Sequence, residues 1–377
     1  MTELPLIAFF ILSSFYFTKF LKNTNDLLPL VFAAFFGFCA SLSRYDGWFL
    51  VALEAGILVL LYALKPSMRK AMEGKFILFS TLAFFGILLW LLWDFLILGD
   101  PFYFSNSPFS AKSQQQGWLA KGELPTYKNI AASVGYYTVT SLHNTGAFIF
   151  LLMVVGLLFY LFKGGRERWY FVPILLVPFI FYVVTLFMGQ SVIFIPDLTP
   201  ANFEWNLFNT RYGIMMVAPA AFFAGFVFSK LHTYAKPIVI LLFLLDIGLF
   251  LIGQEKIITL EDGTNGLSAY KRPTAQDWLA KNYNGGLVLL DDYARTLSVI
   301  RTNLPMQNVI YIGNKPYWEE SLREPEKYAT WIVMQKGDSV WKSLNDDPVM
   351  QGRVYKYFLK VYTSPEIVIF RKPTNTT

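Results

Sequence analysis

The sequence predicts a polytopic α-helical membrane bundle of about eight spans followed by a small extracytoplasmic α/β domain. Three observations carry that expectation. Of the 377 residues, 55% are hydrophobic and only 15% are charged, a balance far more apolar than that of a soluble globular chain. The apolar residues gather into runs approaching the roughly 17–25 residues that a spanning helix needs. Beyond residue 252 the pattern changes, and short apolar clusters alternate with charged stretches.

The eight runs are 4–21, 28–43, 48–64, 76–98, 146–162, 169–188, 212–229 and 237–252. The loops between them alternate in charge. One set holds Lys19, Lys22, Lys65, Arg69, Lys70, Lys75, Lys163, Arg166, Arg168, Lys230 and Lys236, eleven cations in all. The other holds five: Arg44, Lys112, Lys121, Lys128 and Arg211. The side richer in Lys and Arg is the cytoplasmic one. The other side then receives the Arg44 turn, the long loops 99–129 and 189–210, and residues 253–377. This alternation also puts Met1-Thr2-Glu3 outside, so an upstream stretch with an odd number of spans is expected to precede the chain.

The second and third runs meet at Ser41-Leu42-Ser43-Arg44-Tyr45-Asp46-Gly47-Trp48. Arg44 and Asp46 are thereby fixed at the rim of the bilayer, where an ionisable residue faces water, a protein cavity or a ligand. The planar guanidinium fork matches phosphate oxygens, which makes Arg44 a candidate binder of an anionic headgroup. Asn209-Thr210-Arg211-Tyr212-Gly213 repeats the Arg-Tyr pair at the mouth of a later run. Arg44 and Arg211, with Asp46, Asp100 and Glu204, are expected to form a polar pocket at one depth. The competing reading is that both arginines snorkel to lipid headgroups while Asp46 and Asp100 cap turns.

The remaining chemistry-bearing residues give weaker signals. Cys39 is the single cysteine, so there is no disulfide framework, and His143 and His232 lack the Cys/His company of a zinc site. No basic stripe with interleaved aromatics points to nucleic acid. Glu54 and Asp94 lie within apolar runs, and Asp246 sits inside the last one, where a pairing or lipid-edge role is favoured over catalysis. Asp291-Asp292 stand between a strand pattern and a helix pattern, the place of an N-cap. Gly285-Gly286 lacks the spacing of a dinucleotide fingerprint. Asn375-Thr376-Thr377 fits the glycosylation pattern at the end of the sequence and is read as chance.

In residues 253–377 there are 16 Lys+Arg and 14 Asp+Glu. Strand-length clusters at 287–290, 308–312, 330–334 and 367–370 alternate with helical patterns at 274–283, 315–323 and 339–344. That alternation predicts a small α/β domain.

Thr2-Glu3 at the head of a span, Ser43-Arg44-Tyr45-Asp46-Gly47-Trp48, Gly99-Asp100-Pro101-Phe102-Tyr103-Phe104 and Asn209-Thr210-Arg211-Tyr212-Gly213, in this order, resemble membrane glycosyltransferases of the GT-C superfamily. The closer likeness is to the prokaryotic branch similar to protein O-mannosyltransferases and aminoarabinose transferases. Trp278, Pro325, Trp331 and Val333 fall where such proteins have an extracytoplasmic α/β domain. The resemblance implies transfer of a sugar from a polyprenyl-phosphate carrier to an unknown acceptor on the outer face of the cell membrane. It names no cofactor and leaves room for a divalent metal.

In that family the catalytic carboxylate lies on the first outer loop, a segment with no counterpart in this sequence. Catalytic residues are therefore unassigned. Arg44 and Arg211 are expected to bind the lipid phosphate, supported by Asp46, Tyr45, Asp100 and Tyr212. The alternative is a non-catalytic membrane-anchored protein whose outer domain binds a partner or a glycan.

Overall fold

The computed structural model describes residues 2–373 apart from 65–68, 108–109, 201–207, 254–256, 259–273, 292–301, 303, 315 and 366. The chain divides into two compact units, Met1–Leu260 and Glu261–Thr377.

The first unit is helical. Helix α1 (Glu3–Lys22) and helix α2 (Leu28–Ser43) are joined by a short turn in which Asp26 accepts a hydrogen bond from the backbone N–H of Leu28, 3.1 Å away. Pro29 follows in the first turn of α2, where its missing N–H is harmless. Helix α2 stops at Arg44, whose extended backbone (φ −165°, ψ 165°) redirects the chain into α3 (Tyr45–Leu64). Gly47 lets α2 and α3 meet this closely, because a Cβ there would strike the backbone of Ala40. Helix α4 (Arg69–Leu98) closes against them, with Gly86 facing Ser41 and Phe38. Leu6, Phe10, Phe17, Leu30, Leu50 and Phe79 are among the residues filling the space between these helices.

Two later helices are bent. Helices α5 (Ile130–Thr145) and α6 (Ala147–Lys163) meet at 118° across Gly146, whose φ of +86° favours glycine. Asp246, from the apolar helix Lys236–Leu251, accepts a hydrogen bond from the Phe148 N–H at 3.0 Å. The acid that the sequence reading placed inside the last apolar run thus caps the broken helix end. Helices α7 (Arg168–Leu175) and α8 (Val177–Phe187) meet at 52°, with Pro173 inside the first and Pro178 in the first turn of the second.

Among the described residues, four helices are long and apolar enough to cross a membrane, or up to six candidate spans if each bent pair counts as one. Six of the eight expected runs fall on these candidates, and the other two, 28–43 and 237–252, fold as shorter apolar helices. At 16 residues, Leu28–Ser43 and Lys236–Leu251 extend only about 24 Å at 1.5 Å per residue. A hydrocarbon core is about 30 Å thick. Run 146–162 folds as the single helix Ala147–Lys163, set at 118° to the helix that precedes it. The first five residues of run 212–229 belong to a 3₁₀ stretch, Thr210–Met216, that leads into helix Val217–Lys230.

The second unit holds a five-stranded sheet in the order β2-β1-β3-β5-β4, formed by β1 (Val288–Leu289), β2 (Val309–Ile310), β3 (Trp331–Gln335), β4 (Leu359–Thr363) and β5 (Ile367–Arg371). Strand β1 runs parallel to both β2 and β3, whereas β5 pairs antiparallel with β3 and with β4. Strand β4 and helix Pro348–Tyr357 have no counterpart in the sequence reading. The strand is an edge strand with much of its surface exposed, so it lacks a continuous apolar run. The helix is announced only by its cap: Asp347 accepts from Val349 N–H at 2.9 Å, ahead of Pro348. Asp292 and residues 293–301, where the N-cap reading places its helix, lie outside the described residues, whereas Asp291 is described. Its carboxylate accepts from Ser339 N–H at 2.9 Å, at the start of helix Ser339–Leu344.

Asp338 caps the same helix, accepting from Trp341 N–H at 2.6 Å and Gln335 N–H at 2.8 Å. Burial, reinforced by the Asp291 charge, outweighs these bonds and pushes its carboxyl up to about 6. An acid raised above its unfolded value favours the folded form most when protonated, and this contribution is lost as pH rises from about 4 to about 6. The stability difference between the wild type and Asp338→Asn is therefore expected to shrink by on the order of 2 kcal/mol between pH 4 and pH 7. Thermal unfolding of the purified chain followed by circular dichroism at several pH values checks this.

Candidate functional site

Three chain segments bring charge to one end of the helical unit. The break between α2 and α3 delivers Arg44 and Asp46, the first turn of α1 delivers Glu3, and the 3₁₀ stretch delivers Arg211 and Tyr212. Arg44 Nη1 donates to Glu3 Oε1 at 2.7 Å, and Arg211 Nε lies 3.4 Å from the same oxygen. Arg44 also donates through Nη2 to the Tyr182 hydroxyl at 3.0 Å. That hydroxyl donates onward to Asp46 Oδ2 at 2.9 Å. A further ion pair joins Arg44 Nε to Asp46 Oδ1 at 3.6 Å.

Aromatic rings brace the cluster. Tyr212 lies under both guanidinium groups, 5.0 Å from Arg44 and 5.8 Å from Arg211, within cation–π range. The Tyr182 ring is stacked between Tyr212 and Tyr137, and the Tyr137 hydroxyl donates to the Tyr212 carbonyl at 3.2 Å. The 3₁₀ stretch is fixed from below. Asn144 donates to the Thr210 carbonyl at 2.8 Å, and Gly213 sits so close to Thr140 that any side chain would collide with its backbone.

The ion pairs have unequal environments. Glu3 and Asp46 are buried, Arg44 is nearly so, and the Arg211 side chain is 51% exposed. Burial acts against the Arg44 charge, but Tyr182, Asp46, Tyr212 and Glu3 together outweigh it and hold its pKa above that of an ordinary arginine. Arg44 is thus a fixed cation, while Arg211 has about half of its side-chain surface open to water. Two cations and two carboxylates make the cluster formally neutral.

Beside the cluster lies a cavity of about 380 Å³, within the size range of small-ligand pockets. Arg44, Asp46 and Tyr212 form its polar wall, and Tyr45, Trp48 and Trp90 its aromatic wall. Phe104, from the loop after α4, packs on Tyr45 and Trp48.

No family model, curated protein or solved structure matches this chain.

Arg44, Tyr45, Asp46 and Tyr212 line the cavity, and Arg211 joins the cluster through Glu3 and Tyr212. Asp100 is not brought to it. Both its oxygens are taken up locally, by Phe102 N–H at 2.8 Å and Asn106 Nδ2 at 3.0 Å, so it shapes its own turn. Glu204 lies outside the described residues. Among the described residues, no group of three or more His, Cys, Asp or Glu side chains is placed to hold a metal ion. His143 instead pairs with Asp197 at 2.8 Å.

Sequence reasoning treated Glu3 only as part of a motif and missed Tyr182 and Tyr137 altogether. Glu3 carried a signal, an acid in the first turn of an apolar run. The tyrosines carried none, because an aromatic residue inside an apolar run reads as span filling.

Removing the Tyr182 hydroxyl leaves Asp46 Oδ2 and one Arg44 donor unpartnered. Tyr182→Phe is expected to destabilise the helical unit by about 1–3 kcal/mol, the cost of orphaned buried polar groups. Loss of the thermal midpoint in detergent, compared with an exposed control such as Tyr234→Phe, measures it.

Proposed function

We propose that this chain is a membrane glycosyltransferase-like protein that transfers a sugar from a polyprenyl-phosphate donor to an acceptor at the extracytoplasmic face of the cell membrane. The observation that carries the proposal is the convergence of Arg44 and Arg211 on Glu3 and Tyr212 beside the aromatic-walled cavity. In this reading the chain spans the membrane about eight times, and the alternation of loop cations sets the cluster, loops 99–129 and 189–210 and the α/β unit on the outer side.

The two arginines have different parts. Arg44, committed to Glu3, Asp46 and Tyr182, frames the cavity as a rigid polar wall with its charge offset by theirs. Arg211, half-exposed and held among the described residues by Glu3 and the Tyr212 ring, turns its guanidinium to the carrier phosphate. That phosphate is the leaving group when the bond to the anomeric carbon breaks, so the help of a guanidinium grows as charge develops in the transition state. The aromatic wall of Tyr45, Trp48 and Trp90 offers ring faces to the apolar carrier and to the C–H face of a sugar.

Arg211→Ala is expected to lower sugar transfer from a polyprenyl-phosphate donor by about 100-fold, the scale on which electrostatic transition-state contacts act. The thermal midpoint should hardly change, since the side chain is exposed. Reconstituted protein and a radiolabelled lipid-linked sugar give the readout. Absence of transfer by the wild type in every donor tried, or turnover unchanged in Arg211→Ala, contradicts the proposal.

A further inference from the structure

Two turns further into the bundle than Asp46, α3 carries a second acid, Glu54, whose surface is fully enclosed. Its neighbours come from three helices. Ser13 Oγ of α1 lies 2.9 Å from Glu54 Oε2 and also 2.9 Å from the backbone oxygen of Ala33 in α2. The other carboxyl oxygen, Oε1, has no hydrogen-bond partner. Val51 of α3 and Gly37 of α2 crowd the same place, with the position of a Gly37 Cβ 3.5 Å from Ser13 Oγ and 2.8 Å from Val51. Among the described residues, no ion pair reaches Glu54.

The hydrogen count decides the protonation state. A serine hydroxyl owns one hydrogen, yet Ser13 is within bonding distance of two acceptors. If Glu54 were ionised, Ser13 would have to split its hydrogen between them. A fully buried carboxylate would then hold its charge with half a hydrogen bond and one empty oxygen, among the costliest arrangements a protein interior can contain. A hydrogen on Oε2 resolves every contact. Glu54 donates to Ser13, Ser13 donates to Ala33, and the oxygen left without a partner is a neutral carbonyl, whose isolation is far cheaper than that of a charge.

We propose that Glu54 is a resident proton site, a neutral carboxylic acid that donates to Ser13 and so ties α1, α2 and α3 into one hydrogen-bonded chain. These same three helices present Glu3, Arg44 and Asp46 at their ends. Glu54 is therefore a positioning residue, setting the register in which those charges meet. It does so whether or not a lipid-linked sugar is the ligand.

The test is infrared difference spectroscopy on the intact chain in detergent at neutral pH, comparing wild type with Glu54→Gln and with Ser13→Ala. The wild type is expected to show a protonated-carboxyl C=O band that Glu54→Gln lacks and that shifts, without vanishing, in Ser13→Ala. Glu54→Gln, which keeps a donor at that place, should retain most of the thermal stability, whereas Glu54→Ala should lose it. Should Glu54→Gln fail to fold, the shift of the same band in Ser13→Ala carries the test alone. A carboxylate signal in place of the acid band, or a Ser13→Ala spectrum identical to wild type, overturns the proposal.

Discussion

One carboxylate holds the charged end of this molecule together. Glu3 gives a single oxygen to two guanidinium groups that arrive from segments far apart in sequence, and without it Arg44 and Arg211 would repel each other across the face of Tyr212. Burial makes the arrangement consequential. A pair of exposed cations can be screened by water and salt, but a nearly buried arginine needs partners that offset its lost hydration. Arg44 finds them in Glu3, Tyr182 and Asp46, and the cavity beside the cluster inherits a rigid polar wall.

That wall depends on backbone contacts as much as on charge. Gly47 against Ala40 and Gly213 against Thr140 are approaches that no side chain would allow. They set the spacing between the helix ends that carry Asp46, Arg44 and Arg211. The bends at Gly146 and between Pro173 and Pro178 are likewise written into single residues. Asp246 satisfies the helix end that the first bend exposes.

Much of this was legible in the sequence, and the remainder was hidden for identifiable reasons. Apolar runs, turn residues and the Arg-Tyr pairs announced the helices and which side chains would stand at their ends. Helix bending escaped notice because a lone glycine or proline inside an apolar run gives no angle. Tyr182 and Tyr137 escaped because their hydroxyls matter only once a distant arginine and aspartate are folded against them. In the α/β unit, β1, β2, β3 and β5 were foreshadowed by continuous apolar clusters. Edge strand β4, with Lys360 in its middle, was not. Asp100, similar to Asp46 as a loop acid, turned inward to its own backbone, a choice that only loop geometry makes.

The central claim is that Glu3 couples the two arginines. Double-mutant cycles on unfolding, pairing Glu3→Gln with Arg44→Gln and with Arg211→Gln, address it most directly. Coupling energies of at least about 1 kcal/mol for Arg44, with a smaller but measurable value for Arg211, are the predicted result. Additivity to within about 0.3 kcal/mol in both cycles would mean that the three side chains do not share one interaction, and would contradict the account.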